Sequence, residues 1–167
     1  KNNPMRNSKI IASKIWTRDE ARQKVAQWKT MGKTVAFTNG CFDILHEGHL
    51  FSLSQAAAEA DFLIVGLNSD LSTQKLKGKN RPVNKEQARA LILAALMIVD
   101  GVVIFEEETP LNLIKLLMPN VLVKGGDYTF EQVAGSAEVI AQGGRVVINP
   151  LIAGISTTAI IEKMKKS

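Results

Sequence analysis

Short apolar runs alternate along this 167-residue chain with segments of helical periodicity. Five of these runs predict strands, at 34–38, 61–68, 101–105, 121–124 and 145–148. Each interval between them can hold a crossover helix, and strands joined in that way lie parallel. The runs are largely apolar throughout, which indicates burial on both faces. The sequence therefore predicts an α/β, Rossmann-like, doubly wound and mainly parallel five-stranded sheet with helices on both faces.

The connections between the strands carry their own signals. Thr17 with Glu20, and Asn84 with Gln87, form capping-box patterns at the starts of two predicted helices. The polar, lysine-rich segment 69–81 is too long for a tight connection, so we expect a functional or mobile loop there.

The charge distribution separates the ends of the chain from its body. The net charge is +5, yet residues 15–161 carry 14 positive and 15 negative side chains. The excess lies in a basic N-terminal extension, residues 1–14, and in the C-terminal tail. No basic surface interleaved with aromatic residues remains, so we expect no nucleic-acid partner. Residues 15–167 are expected to form one domain.

Membrane and disulfide classes are excluded on simple grounds. The longest uninterrupted apolar run, residues 90–99, is ten residues long and too short to cross a bilayer. No secretory signal is recognisable. The single cysteine, Cys41, excludes an internal disulfide and a cysteine-based zinc site. We expect a cytoplasmic protein with no membrane partner.

The turn after the first predicted strand is the strongest functional signal. Both histidines of the chain fall in His46-Glu47-Gly48-His49, at the start of a predicted helix. Free N–H groups and the helix dipole favour an anion there, and two imidazoles can donate to one phosphate. The alternative is a coincidental pair, one histidine capping the helix and the other half-buried. A zinc site is disfavoured because no third ligand is evident.

Two sequence signatures, one of them in this turn, resemble those of a known protein family. Gly40-Cys41-Phe42-Asp43 followed by His46-x-Gly48-His49 resembles the first signature of the cytidylyltransferase-like nucleotidyltransferases. The sequence Ile155-Ser156-Thr157-Thr158 resembles their second signature, again at a helix start. Segments 76–78 (LKG), 81–84 (RPVN) and 124–128 (KGGDY) are similar to the heptose-phosphate adenylyltransferase branch. The resemblance covers residues 15–165.

Two departures bear on the branch. The cytidylyltransferases usually have a basic residue where this chain has Ile161. Their interface segment R-Y-V-D-E-V-I is replaced by residues 97–103, MIVDGVV. Both differences argue against the cytidylyl branch rather than against nucleotidyl transfer.

The resemblance implies a reaction. AMP would pass from ATP to D-glycero-β-D-manno-heptose 1-phosphate, giving ADP-heptose and pyrophosphate, and the product would serve lipopolysaccharide or other surface-glycan synthesis. One alternative is transfer to another phosphorylated acceptor, glycerol 3-phosphate with CTP or FMN with ATP. Another is a non-catalytic nucleotide-binding module. Mg²⁺ is expected as cofactor, held mainly through the ATP phosphates. A homo-oligomer is compatible with the resemblance.

The resemblance and the residue chemistry together assign site residues. The catalytic residues are expected to be His46, His49 and Lys77. The expected nucleotide-binding residues are Thr38, Asn39, Gly40, Phe42, His46, His49, Lys124, Gly126, Asp127, Ser156, Thr157 and Thr158. The expected sugar-phosphate ligands are Asp43, Asp70, Lys77 and Arg89, with no protein metal site.

Several of these assignments have plain alternatives. Asp43 could cap the entry to a helix instead of binding nucleotide or Mg²⁺. Lys77 could belong to a solvated lysine-rich face, and Arg89 could be an exposed helical arginine. The three hydroxyls at 156–158 could be only a helix cap. Cys41 fits a small-residue role better than that of a nucleophile.

Overall fold

The computed structural model describes residues 9–126, 128–150 and 155–166. Its strands are β1 (Ile15–Trp16), β2 (Val35–Gly40), β3 (Phe62–Asn68), β4 (Gly101–Phe105), β5 (Val121–Gly125) and β6 (Arg145–Asn149). They form one sheet in the order β1-β4-β3-β2-β5-β6, and each hydrogen-bonded pair is parallel. The predicted fold class is confirmed. The strand number was low by one, because the two-residue β1 at the sheet edge is too short to show a period.

Helices connect these strands. They are α1 (Lys9–Ala12), α2 (Arg18–Thr30), α3 (Glu47–Ala57), α4 (Asp70–Lys77), α5 (Glu86–Ala94), α6 (Leu111–Leu117), α7 (Ser136–Ala141) and α8 (Thr157–Lys165). A 3-10 turn, Phe130–Gln132, lies between β5 and α7.

The core lies on both faces of the sheet. One apolar cluster joins the sheet to α2, α6 and α7, and the other joins it to α3 and α5. Successive residues of β2 serve different clusters, since Phe37 packs in the first and Ala36 in the second. Burial on both sides explains why the central strands lack polar alternation.

The sheet order creates a crevice. From β2 the chain builds outward to β3 and β4 on one side, then returns to place β5 and β6 on the other. In parallel sheets, the carboxyl ends of the strands on either side of such a reversal form a natural ligand site. Here that point lies between β2 and β5, directly above the turn that carries both histidines.

The prediction of a loop over residues 69–81 is wrong for eight of them, because α4 occupies Asp70–Lys77. The Ser69 side chain accepts a hydrogen bond from the Ser72 amide and begins the helix. Buried Ser72 is held by Asn68 Nδ2 at 2.9 Å. Polar contacts rather than an apolar face fix this helix, so hydrophobic periodicity did not reveal it.

Two predicted helix starts have different outcomes. The capping box of Thr17 and Glu20 is present at the start of α2. The box predicted at Asn84 is wrong, since α5 begins at Glu86 with Lys85 as its N-cap. The Asn84 backbone and side-chain amides both bind Asp43 instead.

Part of the predicted N-terminal extension is folded onto the body. The Lys14 ammonium donates to the carbonyls of Val99 and Leu96, at 2.8 and 3.2 Å, beyond the end of α5. A cation there satisfies carbonyls that have no partner in the helix. Residues 1–8 lie outside the described part of the chain.

Candidate active site

A cavity of about 560 Å³ opens at the carboxyl ends of β2, β3 and β5. Residues predicted for the site that line it are Asn39, Gly40, Phe42, Asp43, His46, His49, Lys77, Lys124, Ser156, Thr157 and Thr158. These residues come from strand ends, from the turn after β2, and from α3, α4 and α8. They are separated by up to 119 positions in sequence. The fold therefore brings most of the predicted site into one place.

The two histidine rings are stacked. Their centroids are 3.7 Å apart with 20° between the planes, and the Phe42 ring meets His49 edge-on at 5.1 Å. His46 is the extended N-cap residue of α3, and its side chain makes no capping hydrogen bond. A Cβ on Gly48 would lie 3.1 Å from the His46 ring. Glycine at position 48 thus lets the His46 ring lie against the first turn of the helix.

Both imidazoles are held in the neutral form. Burial, followed by the neighbouring His46 ring, lowers the pKa of His49 to about 4. Burial also lowers the pKa of His46. Among the described residues neither buried Nδ1 atom has a hydrogen-bond partner. A neutral imidazole still offers one N–H donor, so the pair can donate to phosphate oxygens at neutral pH.

The start of α8 lies against the histidine turn. The Thr157 hydroxyl donates to the Ile44 carbonyl at 3.4 Å, and a Cβ on Gly48 would be 3.6 Å from Ile155. The Ser156 hydroxyl caps the helix by accepting from the Ala159 amide at 3.1 Å. Thr158 lines the cavity as well. Two helix N-termini, those of α3 and α8, therefore border the same space, which suits a polyphosphate.

Two lysines supply positive charge on the cavity wall. Lys124 Nζ lies 3.3 Å from Asn39 Oδ1 and 5.5 Å from the centroid of the Tyr128 ring. Burial lowers the pKa of Lys124, and the nearby Lys77 ammonium lowers it further. Two cations held close together in this way favour a bound anion between them.

Asp43 is buried and its carboxylate is occupied by the chain itself. It accepts from Arg81 Nε at 2.6 Å, from the Val83 amide at 2.8 Å and from the Asn84 amide at 2.9 Å. Burial alone would raise the pKa of Asp43, but these hydrogen bonds outweigh burial and lower it. The ionised carboxylate thus fixes the 81–84 segment at the edge of the cavity.

Arg89 joins the segments around the cavity from beneath. Its guanidinium is fully buried and donates to the carbonyls of Cys41, Asn68 and Asn84 at 2.6, 2.8 and 2.9 Å. It also pairs with Asp70 Oδ1 at 2.9 Å. The alternative of an exposed helical arginine is wrong, because Arg89 is 1% exposed. Neither Arg89 nor Asp70 lines the cavity, so the structure gives them contacts within the protein rather than with the cavity.

The other predicted residues have simple positions. Thr38 is buried within β2, below the cavity. Gly126 has a positive φ of 124°, and its amide donates to the Asn149 carbonyl at 3.0 Å. Neither of them is among the lining residues. Asp127 lies outside the described residues.

Sequence reasoning missed part of the lining. The missed residues are Ser52, Asn68, Glu108, Thr109, Pro110, Gln132, Val133 and Ala134. Leu76 and Ile155 also line the cavity and belong to segments named in the sequence analysis. Glu108 follows the carboxyl end of β4, so the rule that singled out the ends of the other strands applies to it too. The segment 132–134 carries no comparable signal, because the preceding 3-10 turn brings it to the cavity.

The described residues contain no group of three or more His, Cys, Asp and Glu side chains that could hold a metal ion. The buried carboxylate of Asp43 is taken by three protein donors, as described above. The donor set thus fits a cation that is held by bound phosphates and water rather than by a protein cage. Over the same described residues, no helix is long and apolar enough to cross a membrane.

Known proteins resemble this chain in sequence and in fold. A family model described as cytidylyltransferase-like matches residues 37–163. The bifunctional protein HldE of Caulobacter vibrioides is 56% identical over 151 residues, which are 90% of this chain and 31% of that protein. HldE of Nitrobacter hamburgensis is 54% identical over 145 residues, 87% of this chain and 30% of that protein. The chain thus spans less than a third of the length of these relatives.

Two solved structures share the fold. A lipopolysaccharide core biosynthesis protein from Thermoplasma volcanium superposes with a TM-score of 0.58 at 24% identity, covering 72% of this chain and 98% of that one. Pantothenate synthetase from Thermus thermophilus gives a TM-score of 0.61 at 20% identity, covering 91% of this chain and 70% of that one. At these identities the likeness extends to the fold alone.

Proposed function

The chain belongs to the cytidylyltransferase-like family and is a nucleotidyltransferase, and on that basis we propose that it transfers AMP from ATP to D-glycero-β-D-manno-heptose 1-phosphate. The products would be ADP-heptose and pyrophosphate. The high identity to HldE proteins over most of the chain supports this choice within the family.

One observation carries the proposal. The three segments that resemble the heptose branch, LKG, RPVN and KGGDY, each contribute a lining residue to the cavity that holds the histidine pair. These residues are Leu76 with Lys77, Arg81, and Lys124 with Tyr128. The third segment begins 40 positions after the second ends, and it would have no reason to share a cavity with the other two if all three served only as turns.

The proposed division of the cavity follows the sheet. The nucleotide half is the side formed by β2, β5 and the start of α8. The acceptor half is the side formed by the ends of β3 and β4 and by Lys77 at the end of α4. We assign the ATP phosphates to the first half, because two helix N-termini border it. We assign the sugar phosphate to the second, because a lysine on an exposed helix end suits a group that enters and leaves in each cycle.

The chemical step needs positioning more than proton transfer. An oxygen of the sugar phosphate attacks the α-phosphorus of ATP, the bond from that phosphorus to the β-phosphate oxygen breaks, and pyrophosphate leaves with the electron pair. The attacking phosphate is already ionised at neutral pH, so no general base is required. The protein must hold two polyanions in line and offset the charge that grows on the α-phosphate.

The stacked histidines suit that second task. As neutral N–H donors fixed against Gly48 and Phe42, they need no reorganisation when charge develops. Lys124 and Lys77 add positive charge without donating a proton. Mg²⁺ held by the ATP phosphates would neutralise part of the leaving pyrophosphate charge.

A substrate panel tests the proposal. Pyrophosphate release is measured with ATP and CTP, each against heptose 1-phosphate, glycerol 3-phosphate and FMN. We expect release with ATP and heptose 1-phosphate well above each other pairing. Preferred use of CTP, or of another acceptor, would contradict the substrate assignment. No release with any pair, despite ATP binding, would favour a non-catalytic nucleotide-binding module.

A further inference from the structure

Glu108 is a carboxylate that the catalytic scheme does not use. It is exposed, lines the cavity, and makes no hydrogen bond or ion pair within the described part of the chain. The other carboxylate among the described lining residues, Asp43, has its oxygens filled by protein donors. Glu108 is therefore the described carboxylate with capacity for a ligand in the cavity.

The loop that carries Glu108 is anchored on both sides. The preceding Glu107 pairs with Arg18 at 2.5 Å, and its carbonyl accepts from the Ser72 hydroxyl at 2.9 Å. The following residues, Thr109 and buried Pro110, lead directly into α6. A side chain on such a loop stays at the cavity wall without ordering a flexible segment on binding.

The position of Glu108 in the fold places it in the acceptor half of the cavity. It follows the carboxyl end of β4, on the side of β2 away from β5 and next to the end of β3. The Ser72 contact ties the same loop to α4, the helix that ends in Lys77. Lys77 and Glu108 thus border one half of the cavity with opposite charges.

The opposite charges of Lys77 and Glu108 suit a ligand that has a phosphate at one end and hydroxyl groups at the other. A carboxylate repels phosphate but accepts strong hydrogen bonds from hydroxyls, and a sugar phosphate presents both kinds of group. We propose that Glu108 accepts hydrogen bonds from hydroxyl groups of the acceptor sugar, so that the site selects polyhydroxylated phosphates over smaller ones. This inference rests on the proposed function, since it takes the acceptor to be a sugar 1-phosphate.

The test compares Glu108→Gln with Glu106→Gln. Glu106 lies two residues earlier, is exposed and does not line the cavity, so its substitution is a matched control for charge. The kinetic constants for heptose 1-phosphate are measured at saturating ATP, with inhibition by glycerol 3-phosphate and inorganic phosphate as probes of the acceptor half. ATP affinity is measured separately by calorimetry.

We expect Glu108→Gln to raise KM for heptose 1-phosphate by about tenfold, since a charge-assisted hydrogen bond to a neutral hydroxyl is lost. Inhibition by inorganic phosphate should stay the same or strengthen, and ATP affinity should not change. Glu106→Gln should behave as the unmodified protein does.

Two results would overturn the inference. One is an unchanged KM for heptose 1-phosphate in Glu108→Gln. The other is a loss of ATP affinity in that variant, which would put the carboxylate against the nucleotide ribose. Failure of the proposed function looks different, because the unmodified protein would then release no pyrophosphate with heptose 1-phosphate.

Discussion

At the scale of single residues, the histidine pair shows how burial determines the protonation state of a site. Two imidazoles with centroids 3.7 Å apart cannot both carry charge cheaply, and burial lowers both pKa values. The pair is therefore present as two neutral donors, and positive charge on the cavity wall comes from Lys77, Lys124 and Arg81.

Replacing either histidine tests this role. His46→Ala and His49→Ala should each lower turnover by roughly 10²-fold or more, as loss of one preorganised donor does. Thermal unfolding should shift little, since both side chains line the cavity and belong to neither apolar cluster of the core. Leu50→Ala, an exposed neighbour on α3, serves as the control. Near-full turnover in either histidine variant would contradict the assignment.

The lowered pKa of His49 also makes stability depend on pH. The folded-state pKa of about 4 lies below the ordinary value of 6.5, so between these values the unfolded chain binds a proton that the folded chain does not. The free energy of unfolding should therefore fall as pH drops from about 6.5 to about 4. By pH 4.5 this group should account for about 1–2 kcal/mol, allowing for partial solvent screening.

Urea unfolding at pH 7 and pH 4.5 checks this dependence. His49→Asn should lose less stability over that interval than the unmodified protein. Equal losses would show that His49 titrates normally in the folded state.

Arg89 is expected to act by positioning. Lysine in its place keeps the charge but cannot reach three carbonyls and a carboxylate at once. Arg89→Lys should lower kcat about tenfold or more through loosening of the turn at Cys41, with a smaller effect on ATP affinity. The exposed Arg22→Lys, on α2, is the control. If Arg89→Lys lowered the unfolding temperature but left kcat unchanged, Arg89 would have a structural role only.

The sequence indicated the importance of these residues but not their partners. A motif match pointed to Asp43 and Arg89. Their hydrogen-bond partners, however, are mostly backbone groups, those of Cys41, Asn68, Val83 and Asn84. Backbone amides and carbonyls occur at every position, so no pattern of residue types marks the ones that converge.

At the scale of elements, α4 and α8 divide the proposed substrates between them. Lys77 ends α4 beside the acceptor half, and Thr157 begins α8 against the histidine turn. Lys77→Ala should raise KM for the sugar phosphate or lower kcat while leaving ATP affinity nearly unchanged. Thr157→Ala should weaken ATP more than the sugar phosphate.

Calorimetric titration of ATP alone onto both variants checks this division. The exposed Lys75→Ala, on the same helix, controls for loss of a positive charge. If Lys77→Ala abolished ATP binding and Thr157→Ala spared it, the two halves would be reversed.

The elements that sequence reasoning found are those with apolar faces. The five longer strands and α2 follow from hydrophobic pattern and capping residues. Two of the errors, α4 and the start of α5, concern elements fixed by polar side chains, as with Asn68 on Ser72 and Asp43 on Asn84. Local patterns carry no record of such contacts. The third, β1, has only two residues and shows no period.

At the scale of the whole molecule, alternation of strands and helices predicted the class of sheet but not its order. The position of β5 beside β2 rather than beside β4 decides where the crevice opens. That choice depends on how helices pack on both faces, which involves the whole chain.

The proposed Mg²⁺ requirement belongs to this scale, because the described residues offer no cage of protein ligands. Excess EDTA should abolish turnover, and added Mg²⁺ should restore it, while circular dichroism shows that the fold persists in the chelator. The metal would enter with ATP and leave with pyrophosphate. Full activity in EDTA would contradict this expectation.

Asp43 and Arg89 form a buried network, because both bind the backbone of Asn84 and both lie next to the histidine turn. This network constrains which parts of the cavity can change in sequence. The two proposed halves of the cavity are built on different strands, so loops on the β3 and β4 side could change, and acceptor choice with them, while the proposed ATP site stays intact. The network limits that freedom, since it fastens the 81–84 segment to the histidine turn. New acceptor preferences should therefore arise most readily around Lys77 and Glu108, with the 81–84 segment inherited intact.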